Sequence, residues 1–235
     1  MAVESEHRAS DSPHVACVWR GRASGFETMT SVATSTWELV FWEDRGVMHA
    51  SVRGPETAAS AVELAGDSES LGITFAHGTV MPHLPRLVDS AAESPHVTDR
   101  TFVLGGREWP IPDFDDAEAL VARLVREGVI SRDPLVDEVV WGGIARVGAR
   151  SVQRRVAAAT GLTQGAIRRI ERAREAALLL GGGLAPLEVV HRLGYYDQPH
   201  LARSLQRFIG RTATRLQQGP GTMSLLYKTE PPAGS

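Results

Sequence analysis

The sequence predicts an α+β protein: a small β-rich domain, a barrel or sandwich, followed by an all-α domain. Three observations predict it. Short apolar–polar alternations broken by Gly and Pro fill residues 14–106, the period-2 pattern of half-buried strands. From about residue 113 to 217 the apolar spacing changes to the three-and-four pattern of amphipathic helices. The charge changes with it. Residues 1–130 hold 10 Lys+Arg against 20 Asp+Glu, whereas residues 131–221 hold 14 Arg against 7 acids.

The 235 residues, 43% hydrophobic and 23% charged, suffice for two modest domains. There is no apolar run of the roughly 18 residues a membrane span needs. The N-terminal stretch MAVESEHRASDSPH has no apolar core, so it does not read as a secretory signal; residues 1–13 are expected to be flexible. Cys17 is the one cysteine, which excludes an internal disulfide and suits a reducing cytoplasm. It reads as a buried strand thiol. The net charge of −3 conceals a basic C-terminal half, whose field attracts polyanions.

Residues 14–112 make the β-rich domain. In GVMHASVRG, Met48, Ala50 and Val52 alternate with His49, Ser51 and Arg53; in LGITFAHG, Leu71, Ile73 and Phe75 do the same. TWELVFWEDRGVMHASV reads as two strands joined by a hairpin turn at Asp44-Arg45-Gly46. Trp19, Trp37, Trp42 and Trp109 pack the core or line a cavity. Residues 113–130 form a connecting helix. Asp113 and Asp115 offer caps, Leu120, Val121, Leu124 and Val125 share a face, and Gly128 supplies the stop. That helix is a candidate dimer interface.

Residues 131–220 form the helical domain. In GARSVQRRVAAATG, Val152, Val156 and Ala159 make a core stripe while Arg150, Gln153 and Arg154 face away; Gly148 starts the helix and Gly161 ends it. The next helix, TQGAIRRIERAREAALLL, is capped by Thr163 and buries Ile167, Ile170, Ala173, Ala177 and Leu180. It spans roughly 25 Å at 1.5 Å per residue. PLEVVHRLG follows, with Leu187, Val190 and Leu193 turned to the core and Gly194 permitting a left-handed turn. Asp197 then caps a helix that keeps Leu201, Leu205, Phe208 and Ile209 on one side. The other side shows Pro199, His200, Ala202, Arg203, Gln206 and Arg207. Helix, glycine turn and capped helix outline a helix-turn-helix, whose second helix enters a major groove. There Arg pairs with guanine and Gln with adenine. The tail, residues 221–235, is rich in Pro and Gly; its MSLLYKT stretch could dock on the body.

At these residues a family resemblance emerges. Residues about 133–217 resemble the DNA-binding domain of AraC/XylS-type transcription regulators. GYYDQPHLARSLQRFIGRT is similar to that family's second helix-turn-helix signature. SVQRRVAAATGLT followed by IRRIERAREAALLL resembles its first reader and linker helix. The resemblance implies two helix-turn-helix units joined by a linker helix, reading two adjacent major grooves of double-stranded DNA. The DNA-facing positions it implies are Arg150, Gln153, Arg154, Gln198, His200, Ala202 and Arg203, and Gln206 and Arg207 share that face. GPETAAS, LGITFAHG and EWPIPDFDDAEALVARLV resemble, more loosely, the β-rich, cupin-like effector domains of the same family. A small-molecule effector, a homodimer and RNA polymerase are therefore the expected further partners; no cofactor is implied. Two features depart from the family. A proline usual after the Gly-Arg-Thr element is missing from GRTATRL, and WGGIARVG before the first reader is long and glycine-rich.

Two other readings stay open: an interaction or sensor module whose helix-turn-helix half no longer binds DNA, and a cupin-type metalloenzyme. Against the second, His49, His77, His83 and His96 form no close H-x-H pair on a strand. No phosphate-cradling loop or nucleophile elbow is present in the sequence.

Overall fold

The computed structural model describes residues 4–23, 27–64, 68–143, 147–219 and residue 223. Its strands are β1 (Glu4–Ala9), β2 (Val15–Ala23), β3 (Glu27–Ser31), β4 (Glu38–Asp44), β5 (Val47–Arg53), β6 (Ser60–Leu64), β7 (Ser68–Phe75), β8 (Thr79–Val80), β9 (Ala91–Glu93), β10 (Thr101–Leu104), β11 (Arg107–Pro110) and β12 (Ser131–Arg132). Its helices are α1 (Ala117–Arg126), α2 (Pro134–Val140), α3 (Ala149–Thr160), α4 (Gln164–Gly181), α5 (Pro186–Leu193), α6 (Gln198–Phe208) and α7 (Ala213–Gln217).

The alternating segments build one antiparallel sheet in the order β1-β2-β7-β4-β5-β9. The β4–β5 hairpin turns on Arg45 and Gly46, both at positive φ (52° and 77°), the combination a tight two-residue turn requires. One face of the sheet buries Val18, Leu39, Phe41, Val52, Ile73 and Phe75. The β10–β11 hairpin closes over it with Phe102, Leu104 and Trp109. Phe102 meets Phe41 edge to face at 4.9 Å, a favoured aromatic geometry.

Among the described residues the expected barrel does not close. β3 pairs with β6, β8 with β12 and β10 with β11, each pair a separate ribbon. β1 and β9 are left as the sheet's edges, and a barrel needs its edge strands hydrogen-bonded to each other.

The N-terminus also differs from expectation. Residues 4–9, read as part of a flexible tail, are the edge strand β1, in register with β2 from Glu4↔Arg22 to Ala9↔Cys17. The polar sequence ESEHRA hides it, because an edge strand needs no apolar face to hold its ladder. Arg8 then ties this strand to α1. It donates from Nη1 and Nη2 to Glu118 Oε1 and Oε2, at 2.6 and 2.7 Å, and from Nη2 to the Phe114 carbonyl at 2.6 Å.

In α1 the N-cap is Asp116, not Asp113 or Asp115. Asp116 Oδ1 accepts from the Asp113 N–H at 2.7 Å and so braces the turn ahead of the helix. Leu120, Val121 and Leu124 are 4%, 0% and 0% exposed. They pack into the chain's own β-rich core, so the apolar face considered for a dimer is already covered.

The helices gather a second core. Val136, Val139, Val152, Val156, Ile167, Ile170, Ala177, Leu180, Val190, Leu201, Leu205 and Phe208 belong to it, and so do Val32 and Ala33 from the β-rich half. Leu187, expected in this core, is 54% exposed. At 100° per residue, Val189, Val190 and Leu193 centre the inward face of α5 more than a quarter-turn from Leu187. Val189, 0% exposed, takes the inward place. Of the tail only Met223 is described; it bridges Thr30 in parallel and packs on this core. The rest of the MSLLYKT stretch lies outside the described residues. Among the described residues no helix is long and apolar enough to cross a membrane.

The Arg8 hydrogen bonds hold the Glu118 carboxyl down at about 2, below the roughly 4.3 of a free glutamate. A carboxyl whose folded value is depressed contributes stability above its unfolded value, and that contribution is lost as pH falls through the folded one. The protein should therefore lose stability between about pH 4.3 and 2. Glu118→Gln should flatten that acid slope and lower the melting temperature at pH 7. Thermal melts of both proteins across this range check it; parallel profiles would show that the pair is not an acid-sensitive tie.

Candidate nucleic-acid interface

The helices α3 and α6 each have well-defined ends. α3 starts after Gly148 and stops at Gly161, whose φ of 73° ends it with a left-handed residue. α6 is capped by Asp197, whose side chain accepts from the His200 N–H at 2.7 Å. The turn ahead of it runs through Gly194 at φ 67°. Tyr195 is buried below this turn, with its hydroxyl 3.2 Å from Ser204 Oγ and the Arg172 guanidinium 4.4 Å above its ring. Burial pushes the Tyr195 phenol up, keeping it neutral. Between these helices α4 is capped by Thr163, which accepts from the Ala166 N–H at 3.1 Å. α7 is capped by Thr212, which accepts from the Arg215 N–H, so GRTATRL starts its helix with no proline.

The apolar stripes of α3 and α6 point into the helical core, so their polar faces point out. Arg150, Gln153 and Arg154 of α3 are exposed, as are Gln198, Ala202, Arg203, Gln206 and Arg207 of α6. Among the described residues, the side chains of Arg150, Gln153, Arg154, Gln198, Arg203 and Gln206 are in no hydrogen bond or ion pair within the protein. His200 differs. It is half-buried at the flank of α6, its Nδ1 accepts from the Tyr196 N–H at 3.4 Å, and its ring stands edge-on to Tyr195 at 5.2 Å. This places it as a brace of the turn. The Arg207 guanidinium lies 5.3 Å from the centre of the Phe208 ring.

Arg155 is not a free surface cation. Its Nε and Nη2 bind both oxygens of Asp133, the cap of α2. Sequence reasoning also passed over Tyr196, which is 91% exposed at the start of α6; its position in the glycine turn was the available signal. Residues 144–146 of WGGIARVG lie outside the described residues.

A buried polar cluster joins the two halves, and no sequence motif announces it. Ser35 Oγ is 2.8 Å from His77 Nε2 and also donates to Glu171 Oε1. Glu171 Oε1 lies 3.8 Å from His77 Nε2, and Arg174 Nη1 donates to the Ala33 carbonyl at 2.9 Å. Burial alone pushes the Glu171 carboxyl up. His77, the Arg174 charge and the Ser35 hydroxyl outweigh it and bring the group down to about 2. Ser, His and Glu here do not make a nucleophilic triad. The same ring nitrogen of His77 meets both partners, and Ser35 is 0% exposed, whereas a triad needs the carboxylate on the other nitrogen and a reachable hydroxyl. Among the described residues no three His, Cys, Asp or Glu side chains gather as a metal site.

The β-rich half holds a cavity of about 310 Å³, near the lower end of small-molecule sites. Leu39, Val52, Leu84, Phe102 and Leu104 form its apolar wall, with Ser51, His83, Glu93 and Ser94 as polar groups. None of the tryptophans lines it. Trp19 donates to Glu38, Trp37 to the Ala159 carbonyl and Trp109 to the Leu104 carbonyl, while Trp42 stacks on His49.

No protein-family profile matches the chain, and no curated protein matches its sequence. Among solved structures, the chain is similar to apo ToxT from Vibrio cholerae, at 8% identity and a TM-score of 0.41, over 90% of this chain and 99% of that one. That likeness is too distant to fix fold or function.

The exposed face and its supports should respond differently to truncation. Asp197→Ala should cost about 1 kcal/mol of stability through the lost cap. Arg150→Ala and Arg203→Ala should each stay within about 0.5 kcal/mol, as surface changes do. Urea titrations of the three variants test this; an Arg203→Ala loss as large as that of Asp197→Ala would mean that the arginine is part of the fold.

Proposed function

We propose that this protein is a sequence-specific DNA-binding transcriptional regulator of the AraC/XylS type. Its helical half, residues 131–220, reads duplex DNA with α3 and α6 as the second helices of two helix-turn-helix units. The observation that carries this reading is the pair of amphipathic helices, each with an outward Arg and Gln face that the protein itself does not use. α4 joins them and, with 18 residues, is about 27 Å long. Successive major grooves on one face of DNA recur about every 34 Å. Arg203, Gln206 and Gln198 are base readers on α6; Arg150, Gln153 and Arg154 are their counterparts on α3. Ala202 gives close approach, Arg207 and His200 lie at the flank, and the surrounding arginines supply phosphate contacts.

The β-rich half, residues 14–112, is the effector domain in this reading. Its cavity, lined by Phe102, His83 and Glu93 among others, takes a small, mostly apolar molecule with one polar group. A thermal-shift screen of metabolites should find a stabilising ligand that changes DNA affinity by about 1–3 kcal/mol, a typical coupling. A screen in which nothing alters DNA binding removes the effector role.

Binding of the full chain to its own promoter region should fall steeply with salt, with a log–log slope of about −5 for six phosphate contacts. In binding-site selection at fixed salt, Arg203→Ala should relax one or two base pairs, at a cost of about 1–3 kcal/mol for the lost bidentate contact. Arg150→Ala and Arg154→Ala should change the preferred sequence less. If Arg203→Ala keeps the selected sequence while a change in α3 rewrites it, the first unit is the principal reader.

A further inference from the structure

Both α3 and α6 end against the β-rich half. At the end of α3, Trp37 Nε1 donates to the Ala159 carbonyl at 2.9 Å. At the end of α6, the Ala33 N–H donates to the Phe208 carbonyl and the Ala59 N–H to the Arg207 carbonyl, each at 2.8 Å. The last-turn carbonyls of a helix have no partner inside it, so these donors complete the two helices from outside.

Ala33 and Trp37 lie on the one connection between β3 and β4. A single five-residue stretch thus holds the ends of both helices. That stretch is itself fixed. Thr34 and Glu56 exchange backbone hydrogen bonds at 3.1 and 2.9 Å, and the Phe75 N–H donates to the Trp37 carbonyl at 3.0 Å. Ser35 and the Ala33 carbonyl take Glu171 and Arg174 from α4. The helix between the readers is therefore tied to the same five residues.

We propose that residues 33–37 position α3 and α6 for DNA reading, so that recognition of the spacing between two sub-sites belongs to the full chain and not to its helical half alone. The inference rests on α3 and α6 being the readers. Trp37 and Glu171 are positioning residues and touch no DNA. The geometry amplifies small movements. α3, 12 residues long, spans about 18 Å. From the anchor at Ala159 to Arg150 is about 13.5 Å, so a tilt of about 10° moves Arg150 by about 2.4 Å, a large part of the roughly 3.4 Å between base pairs.

Trp37→Phe keeps an aromatic ring and removes the donor. Two measurements on the full chain test its effect. In the first, spin labels at Ala149→Cys and Ala202→Cys report the distance between the helices without DNA. Cys17 stays unlabelled because it is buried and its thiol is pushed up to about 12. Trp37→Phe should at least double the width of the distance distribution. In the second, selected duplexes with and without one base pair inserted between the sub-sites are compared. The parent should lose about ten-fold affinity on insertion, and Trp37→Phe only about three-fold. A purely structural loss would weaken both duplexes equally and leave that ratio unchanged. Should Trp37→Phe fail to fold, Glu171→Gln keeps the shape, removes the charge facing Arg174, and should shift both readouts the same way. An unchanged width, or a wider distribution with an unchanged ratio, overturns the inference and leaves the DNA reading intact. A parent chain that binds every duplex alike overturns the DNA reading, and the inference with it.

Discussion

A helix cannot satisfy the carbonyls of its own last turn, and much of this molecule is arranged around that constraint. The β-rich half supplies donors to the ends of α3 and α6 from Trp37, Ala33 and Ala59. Arg174 of α4 returns a donor to the carbonyl of Ala33. Once those bonds form, Ser35, His77 and Arg174 are buried and the Glu171 side chain is left only 17% exposed beside them. A buried carboxylate is tolerable only when charge and hydrogen bonds replace its hydration. Glu171 has both, from groups on both halves of the chain. The second core shows the same joining in apolar form, since Val32 and Ala33 pack among the helices.

The arginines divide by what surrounds them. Arg8, Arg132, Arg155 and Arg174 are spent inside the protein, on Glu118, Asp137, Asp133 and a backbone carbonyl. Arg150, Arg154 and Arg203 meet only solvent. A charge count over residues 131–221 mixes the two kinds. Part of the exposed basic character sits on the outward faces of α3 and α6, with Arg169, Arg192 and Arg215 exposed on other helices, and the capped, buried turn around Tyr195 and Arg172 presents the face of α6.

Openness of the sheet matters for the β-rich half. The β10–β11 hairpin and α1 cover the apolar face, where a closed barrel would have enclosed it. The cavity lies where that cover is incomplete, between the sheet's Leu39 and Val52 and the hairpin's Phe102 and Leu104. α1, held by Arg8 to the edge strand, spends its apolar stripe on the same core.

Local chemistry was legible in the sequence. The Arg45-Gly46 turn, the Thr163 and Asp197 caps, the glycine stops at 128, 161 and 194, and the buried stripes of α3, α4 and α6 each depend on residues within a turn or two of one another. The outward placement of Arg150, Gln153, Arg154, Arg203 and Gln206 followed from those stripes, because a helix that buries one face must show the other. What the tertiary structure decided depends on partners distant in the chain. β1 is a strand because β2 lies beside it, Leu187 is exposed because Val189 takes the inward place, and Arg155 is engaged because Asp133 waits 22 residues away. The junction of the halves is the extreme case. Ser35 and Glu171 are 136 residues apart, and neither carries a periodicity or motif that points to the other. Hydrogen bonds between such groups form only after the chain has folded, so no local pattern encodes them.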